Sequence, residues 1–203
     1  MTAPIRLTGA LFGALLSMWV LAQPGPLTAG PPPPGLPPSL PGLRDVASAA
    51  QTQVALAAAQ ALYPSVGAVA IFEHVLGREG EKQEIKVLLG DTTAIYGRFN
   101  LDPKTRLPVP LGLEGFASAP TQRDDLEALF QVATRLLPDL SLSNLVVKER
   151  DGYKLLLIYE GQLVGELKLN EAYAPRTDEK WLEEFGESAW RYPEQITIQQ
   201  SIN

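Results

Sequence analysis

Residues 154–170, KLLLIYEGQLVGELKLN, align without a gap beneath residues 86–102, KVLLGDTTAIYGRFNLD, at an offset of 68 positions. Lys86/Lys154, Leu88/Leu156, Leu89/Leu157, Gly97/Gly165 and Leu101/Leu169 are identical pairs. Val87/Leu155, Ile95/Leu163, Tyr96/Val164 and Phe99/Leu167 keep apolar character, and Asp102/Asn170 keeps shape. Both stretches read as strand–turn–strand. A chain that uses such a unit twice must accommodate two like hairpins, which restricts its architecture more than any composition figure does. Gly97 and Gly165 are expected at equivalent points of their third strands, where a missing side chain permits a bulge or the close approach of a helix.

The surrounding sequence extends each hairpin into a larger unit. Residues 44–63 are alanine-rich and end at Pro64, which predicts a helix beginning near Asp45. Val46, Ala50, Val54, Ala57, Ala61 and Leu62 form its expected buried stripe. Alternation predicts strands over 68–76, 83–89 and 93–101, with Val69, Ile71 and Val75 on one face and Glu73 as the exception there. The second unit repeats this order. Thr121 is the expected cap of a helix with Asp124 and Asp125 in its first turn and Leu126, Phe130, Ala133 and Leu137 on its buried face. Pro138 stops it. Strands over 143–149, 153–159 and 162–169 follow, the first two joined at Arg150-Asp151-Gly152 and the last two at Glu160-Gly161. Asp-Gly between alternating runs predicts a type I′ hairpin, whose central residues need positive φ. The fold class is therefore α+β: two helix–β–β–β repeats, over 43–101 and 122–170, forming antiparallel sheet packed by helices.

Three segments fall outside the repeat. Residues 1–22 read as a secretory signal, with Arg6 as the positive region, 7–21 as the apolar core and Val20-Leu21-Ala22 before the cleavage point. Fifteen apolar residues are fewer than the roughly 20 a membrane span needs, so cleavage is favoured over retention as an anchor. Residues 23–42 carry prolines at 24, 26, 31–34, 37, 38 and 41 and read as a semi-rigid tether. Residues 102–121 are a long connection whose Leu107, Val109, Leu111, Leu113 and Phe116 are expected to pack partly onto the sheet. Residues 171–203 form a tail. In it a helix is expected from Thr177, with Trp181, Leu182, Phe185 and Ala189 on one face, ended by Pro193 and followed by an edge strand over 195–199.

Chemistry is harder to find. A net charge of −6 opposes phosphate-backbone binding and docking on anionic lipid. With no cysteine there is no thiolate zinc site, cysteine nucleophile or disulfide. The single histidine, His74, must serve any Ser–His–acid arrangement, and no G-x-S-x-G elbow occurs. Its position on the strand face opposite Val75 predicts a solvated or edge histidine. Asp124-Asp125, Glu179, Glu183-Glu184 and Glu187 read as solvated helix faces, and Lys154, Glu166 and Lys168 have no catalytic partner the sequence identifies. No catalytic, cofactor-binding or metal residue is assigned. Candidate partner-binding residues are Trp181, Trp190, Tyr192, Leu107 and Phe116, since aromatic anchors are enriched in interfaces. Helical spacing gives Trp181 a competing place in the core.

A helix followed by three antiparallel strands, used twice after a signal segment, resembles the PepSY family of exported bacterial modules. It is also similar to the β-lactamase inhibitor protein type, whose disulfides this chain lacks. The resemblance covers 44–101 and 122–170 and rests on element order. It implies a non-catalytic binding or inhibitory role in the bacterial envelope, with a protein or peptide as ligand. The alternatives are an envelope assembly component tethered by the proline-rich segment and, last, a carboxylate-dependent hydrolase. Membrane contact is expected only if 1–22 is retained.

Overall fold

In the computed structural model, residues 46–76, 82–113 and 123–196 are described. The expected signal, the proline-rich segment, Phe116, Thr121 and residues 197–203 lie outside them. The helices are α1 (Ala49–Leu62), α2 (Arg123–Leu136) and α3 (Glu179–Glu187). The strands are β1 (Gly67–Leu76), β2 (Lys82–Gly90), β3 (Ile95–Leu101), β4 (Ser141–Glu149), β5 (Gly152–Tyr159), β6 (Gln162–Asn170) and β7 (Arg191–Tyr192). All seven strands join one antiparallel sheet in the order β4-β5-β6-β3-β2-β1-β7. The class is α+β, with one continuous sheet rather than two. Among the described residues no helix is long and apolar enough to cross a membrane.

The centre of the sheet is the β3–β6 junction. Gly97 pairs with Leu167, Arg98 with Glu166 and Phe99 with Gly165. Arg98 and Glu166, at the middle of that register, are themselves 68 positions apart. Each glycine faces a bulky residue of the other strand. A Cβ on Gly97 would sit 2.3 Å from Leu167 Cδ2, and one on Gly165 would sit 2.5 Å from the Arg98 carbonyl and 2.8 Å from Phe99 Cβ. Both glycines thus lie within their strands at a close cross-strand approach, and beside each the pairing shifts register, between Leu89 and Gly90 against β3 and between Leu157 and Ile158 against β6.

The segments after β3 and β6 fold back alike. Asp102 N–H donates to Leu107 O, and Val109 N–H to Asn100 O; correspondingly, Asn170 N–H donates to Ala174 O and Arg176 N–H to Lys168 O. Arg106 and Tyr173 take left-handed φ of 60° and 61°. Isolated bridges join Leu101 to Pro108 and Leu169 to Pro175. Asp102 Oδ1 accepts from Lys104 N–H, as Asn170 Oδ1 does from Ala172 N–H. Leu111 N–H reaches Leu163 O at 2.7 Å, so the connection closes the sheet where β3 and β6 diverge. Pro108 and Val109 are buried there, whereas Leu107 and Leu113 are exposed.

The two long helices cover one face crosswise: α1 packs on β4 and β5, and α2 on β1 and β7. Beneath them lies the main core, including Ile71, Val87, Phe99, Leu126, Leu155 and Leu167. Tyr63 Oη ties the two helix ends together by donating to Leu140 O at 2.6 Å.

Several local expectations are corrected. Helix α1 starts at Ala49, because Ser48 and Gln51 form a reciprocal capping box, and Val46 instead bridges to Val147. Its buried face is Ala55 and Ala59; of the expected stripe Leu62 packs on the core, whereas Val46, Ala50, Val54, Ala57 and Ala61 are exposed. Alanine on every side leaves little to orient the helix, and the smallest contact surface went inward. By contrast Leu126 and Ala133 of α2 are buried as expected, with Phe130 half-buried. β3 begins at Ile95 because Asp91 Oδ1 accepts from Thr93 N–H and Ala94 N–H. The β4–β5 loop is Arg150-Asp151, since Glu149 pairs with Gly152, and neither loop residue has positive φ. The paired positive φ values occur instead at Glu160 (48°) and Gly161 (79°), between Tyr159 and Gln162. Asp178, not Thr177, caps α3 by accepting from Lys180 N–H, and the helix ends at Glu187, before Ala189 and Pro193. The edge strand is β7, which precedes the expected 195–199; Gln195 and Ile196 are not strand.

Candidate functional site

The second face of the sheet is not the solvated polar face that a simple meander presents. Helix α3 lies across it and inserts Trp181 and Phe185 against Ala70, Phe72, Leu88 and Ile95. Phe72 and Phe185 meet edge to face at 5.7 Å. Around this small apolar patch the alternating strand residues are charged, and α3 buries them: Glu84, Lys86, Glu166 and Lys168 are each less than a tenth exposed.

Burial of charge requires partners, and Lys86, Glu166 and Lys168 each have one within hydrogen-bond distance. Glu166 Oε1 accepts from Arg98 Nε at 2.9 Å, and Glu166 Oε2 lies 3.1 Å from Lys154 Nζ. Lys154 also reaches Glu149 at 3.1 Å, and Glu149 meets Arg176 at 2.8 Å. Lys168 bonds Asp178, the α3 cap. Lys86 Nζ donates to Glu184 Oε2 at 2.9 Å and stands 3.7 Å from Glu84 Oε2. The two lysines of the sequence alignment therefore solve one problem differently. Lys154 finds its carboxylate at Glu166 on the neighbouring strand; the position aligned with Glu166 near Lys86 is Arg98, so α3 supplies Glu184 instead. Glu184 is thus a buried partner, not a solvated helix residue.

The same carboxylates are acidified by their partners. Burial pushes Glu166 up, but Arg98, Lys154 and Lys168 together hold it below its ordinary 4.5. Burial likewise raises Glu184 and Asp178, and the Lys86 ammonium for the first and the Lys168 ammonium for the second bring them below 4.5 and 3.8. Burial lowers Lys154, and Glu166 and Glu149 raise it above 10.5 overall.

His74 belongs to this cluster. Its side chain is 20% exposed, so it is not a solvated residue, and Nδ1 lies 2.9 Å from Lys86 Nζ and 3.4 Å from Glu184 Oε2. An ammonium has no lone pair, so in this contact Nδ1 is placed to accept from Lys86. The histidine's basic nitrogen is used within the fold.

Between α3, the connection at Leu111 and the sheet is a cavity of about 440 Å³, lined by His74, Glu84, Lys86, Arg98, Asn100, Glu166 and Glu184, with Lys180, Glu183 and Glu187 at the α3 side. This volume is within the usual range of small-ligand sites. Arg98 uses Nε for Glu166, and its guanidinium also stacks over Trp181 at 5.3 Å. Glu84 Oε1 is buried without a hydrogen-bond partner. Among the described residues no group of His, Asp and Glu is arranged to hold a metal ion. A second, apolar cavity of about 250 Å³ lies at the ends of α1 and α2, lined by Tyr63, Pro64, Val66 and Leu89 with Leu137, Pro138, Leu140 and Leu157.

The five partner candidates from the sequence are not brought together. Trp181 is 1% exposed, with Lys168 Nζ 5.1 Å and Arg98 Cζ 5.3 Å from its ring, so its contacts are internal. Tyr192 is half-buried, pairs with Ile71 and packs on Phe130. Trp190 and Leu107 are exposed. Phe116 lies outside the described residues. What sequence reasoning missed is the cluster of Glu84, Lys86, Arg98, Glu166 and Glu184. Its signal was available: the alternation that puts leucines on one face puts these charges on the other, and only a helix laid over that face turns them into a site.

No family model, curated protein or solved structure matches this chain.

Proposed function

We propose that this chain is an exported, non-catalytic binding or inhibitory module of the bacterial envelope, built as two helix–β–β–β repeats and acting on a protein or peptide. The observation that carries the reading is the charged cavity beneath α3, a preformed concave surface whose lining charges are fixed by ion pairs. Use of His74 Nδ1 by Lys86 favours binding over general-base catalysis, because the lone pair a base needs is occupied. The repeat reading is supported by the self-consistent β3–β6 register, the reciprocal glycines and the matching fold-backs after Leu101 and Leu169. Those features fit the tandem element order on which the PepSY-like resemblance rests. The export reading stands on residues 1–22 and the tether reading on 23–42.

The test is affinity capture from the native envelope with the full chain and with a Glu183→Gln/Glu187→Gln variant. Both glutamates are exposed on α3 beside the cavity, so the fold should tolerate the change. A partner held by the parent chain and released by the variant supports the reading. A partner held equally by both places the binding surface elsewhere, and no retained partner removes the proposal in favour of the envelope assembly component.

A further inference from the structure

Resting on that reading of the cavity, we infer that the site beneath α3 takes a cationic group: the ammonium or guanidinium of a basic side chain, as on a peptide, or of a small organic amine. Two independent observations lead there. First, the lining carries five carboxylates, on Glu84, Glu166, Glu183, Glu184 and Glu187, against the cations Lys86, Lys180 and Arg98. The excess is not spread evenly. Arg98 is matched by Glu166 at 2.9 Å and Lys86 by Glu184 at 2.9 Å, whereas Lys180 is a looser partner, 3.8 Å from Glu184. The negative charge without a close partner is therefore that of the α3 pair Glu183 and Glu187, together with Glu84, whose one ion-pair contact is the long one to Lys86, already bonded to Glu184.

Second, Glu84 is incompletely satisfied although its side chain is only 6% exposed. Its Oε2 stands 3.7 Å from Lys86 Nζ, beyond a hydrogen bond, and its Oε1 is buried with no hydrogen-bond partner. A buried carboxylate oxygen left without a donor forfeits its hydration uncompensated, so such groups in native proteins call for an explanation. Lys86 does not supply the donor, because its ammonium is directed at His74 Nδ1 and Glu184 Oε2. A ligand bringing its own N–H donors and a positive charge would satisfy Glu84 and offset the excess at once. A ligand bringing an anion would meet Arg98, whose Nε is already committed, and the exposed Lys180, against a larger number of carboxylates. Metal ions are not favoured, since no carboxylates here are grouped as a coordination shell.

The experiment is an NMR titration of the full chain, read as amide shifts at residues 84–86, 98–100 and 180–187. The probes are N-acetyl-L-lysine methylamide, L-arginine amide and putrescine, with sodium L-glutamate and inorganic phosphate as anionic counterparts. The expected result is saturable shifts at these residues with the cationic probes, weakened at least tenfold in Glu84→Gln and severalfold in the exposed variant Glu187→Gln. The Glu187 variant keeps the inference testable should the buried substitution unfold the chain. Shifts at the same residues with glutamate or phosphate, and none with the amines, would overturn the ligand class while leaving the cavity a binding site. No shift there with any probe would overturn the site itself, and the capture experiment then decides the binding reading separately.

Discussion

Arg98 and Glu166 face each other across the middle of the seven-stranded sheet, Nε to Oε1 at 2.9 Å, and they occupy the same position of the two aligned sequences. The one aligned position holds a cation in the first stretch and an anion in the second, and the two bind each other. Their environments are unequal. Glu166 is 8% exposed in its side chain and holds both Arg98 and Lys154, whereas Arg98 is 29% exposed and has water and Trp181 beside it.

That inequality predicts unequal mutants. Glu166→Gln strands two cations and should cost about 2–3 kcal/mol, against about 1 kcal/mol for Arg98→Gln, which leaves Glu166 paired with Lys154. Urea unfolding of the two variants checks the order, and a larger loss from Arg98→Gln would contradict the arrangement.

The reciprocal glycines differ in what they meet. A Cβ at Gly165 runs into the Arg98 carbonyl, which is backbone, while one at Gly97 runs first into the movable end of Leu167. Gly165→Ala should therefore destabilise by about 2–3 kcal/mol and Gly97→Ala by roughly 1 kcal/mol, within the range seen for overpacking. Thermal melts of both variants read this directly; equal losses would mean the backbone at Arg98 yields as easily as a side chain.

Acid sensitivity follows from the lowered carboxyls of Glu166, Asp178 and Glu184. Because their folded values lie below 4.5, 3.8 and 4.5, their contribution is present above those ordinary values and is lost as pH falls through the lowered ones. Lys154 behaves oppositely: its value is raised above 10.5, so its contribution is intact below 10.5 and disappears as pH rises through the folded value. Unfolding free energy measured against pH should fall at both ends. Glu184→Gln should make the acid limb shallower without moving the alkaline one, and an unchanged acid slope would dissociate Glu184 from it.

The crossed helices predict that neither half stands alone. With α1 on β4 and β5 and α2 on β1 and β7, residues 46–113 lack the cover for their strands, as do 123–196. Each fragment should give a collapsed or unfolded proton NMR spectrum, and a well-dispersed spectrum from either would show that its own helix can serve it.

The sequence determined the three helices, the first six strands and their order, the spans of those strands to within a few residues and the in-strand placement of both glycines, but not β7. These depend on period-two alternation, proline stops and turn residues, which are local properties of the chain. It also placed Leu126 and Ala133 on the buried face of α2, with Phe130 half-buried, but not Leu129, which is buried beside them. It did not determine the buried face of α1, because alanine surrounds that helix and small residues orient nothing until a surface is offered. The pairing of β3 with β6, the crossing of the helices and the placement of α3 were decided only in three dimensions, since each depends on contacts between distant segments. So was the candidate site. Glu84, Lys86, Arg98, Glu166 and Glu184 read as surface charges along the chain, and the packing of α3 on the sheet takes Glu84, Lys86 and Glu166 out of water and brings Glu184 to Lys86.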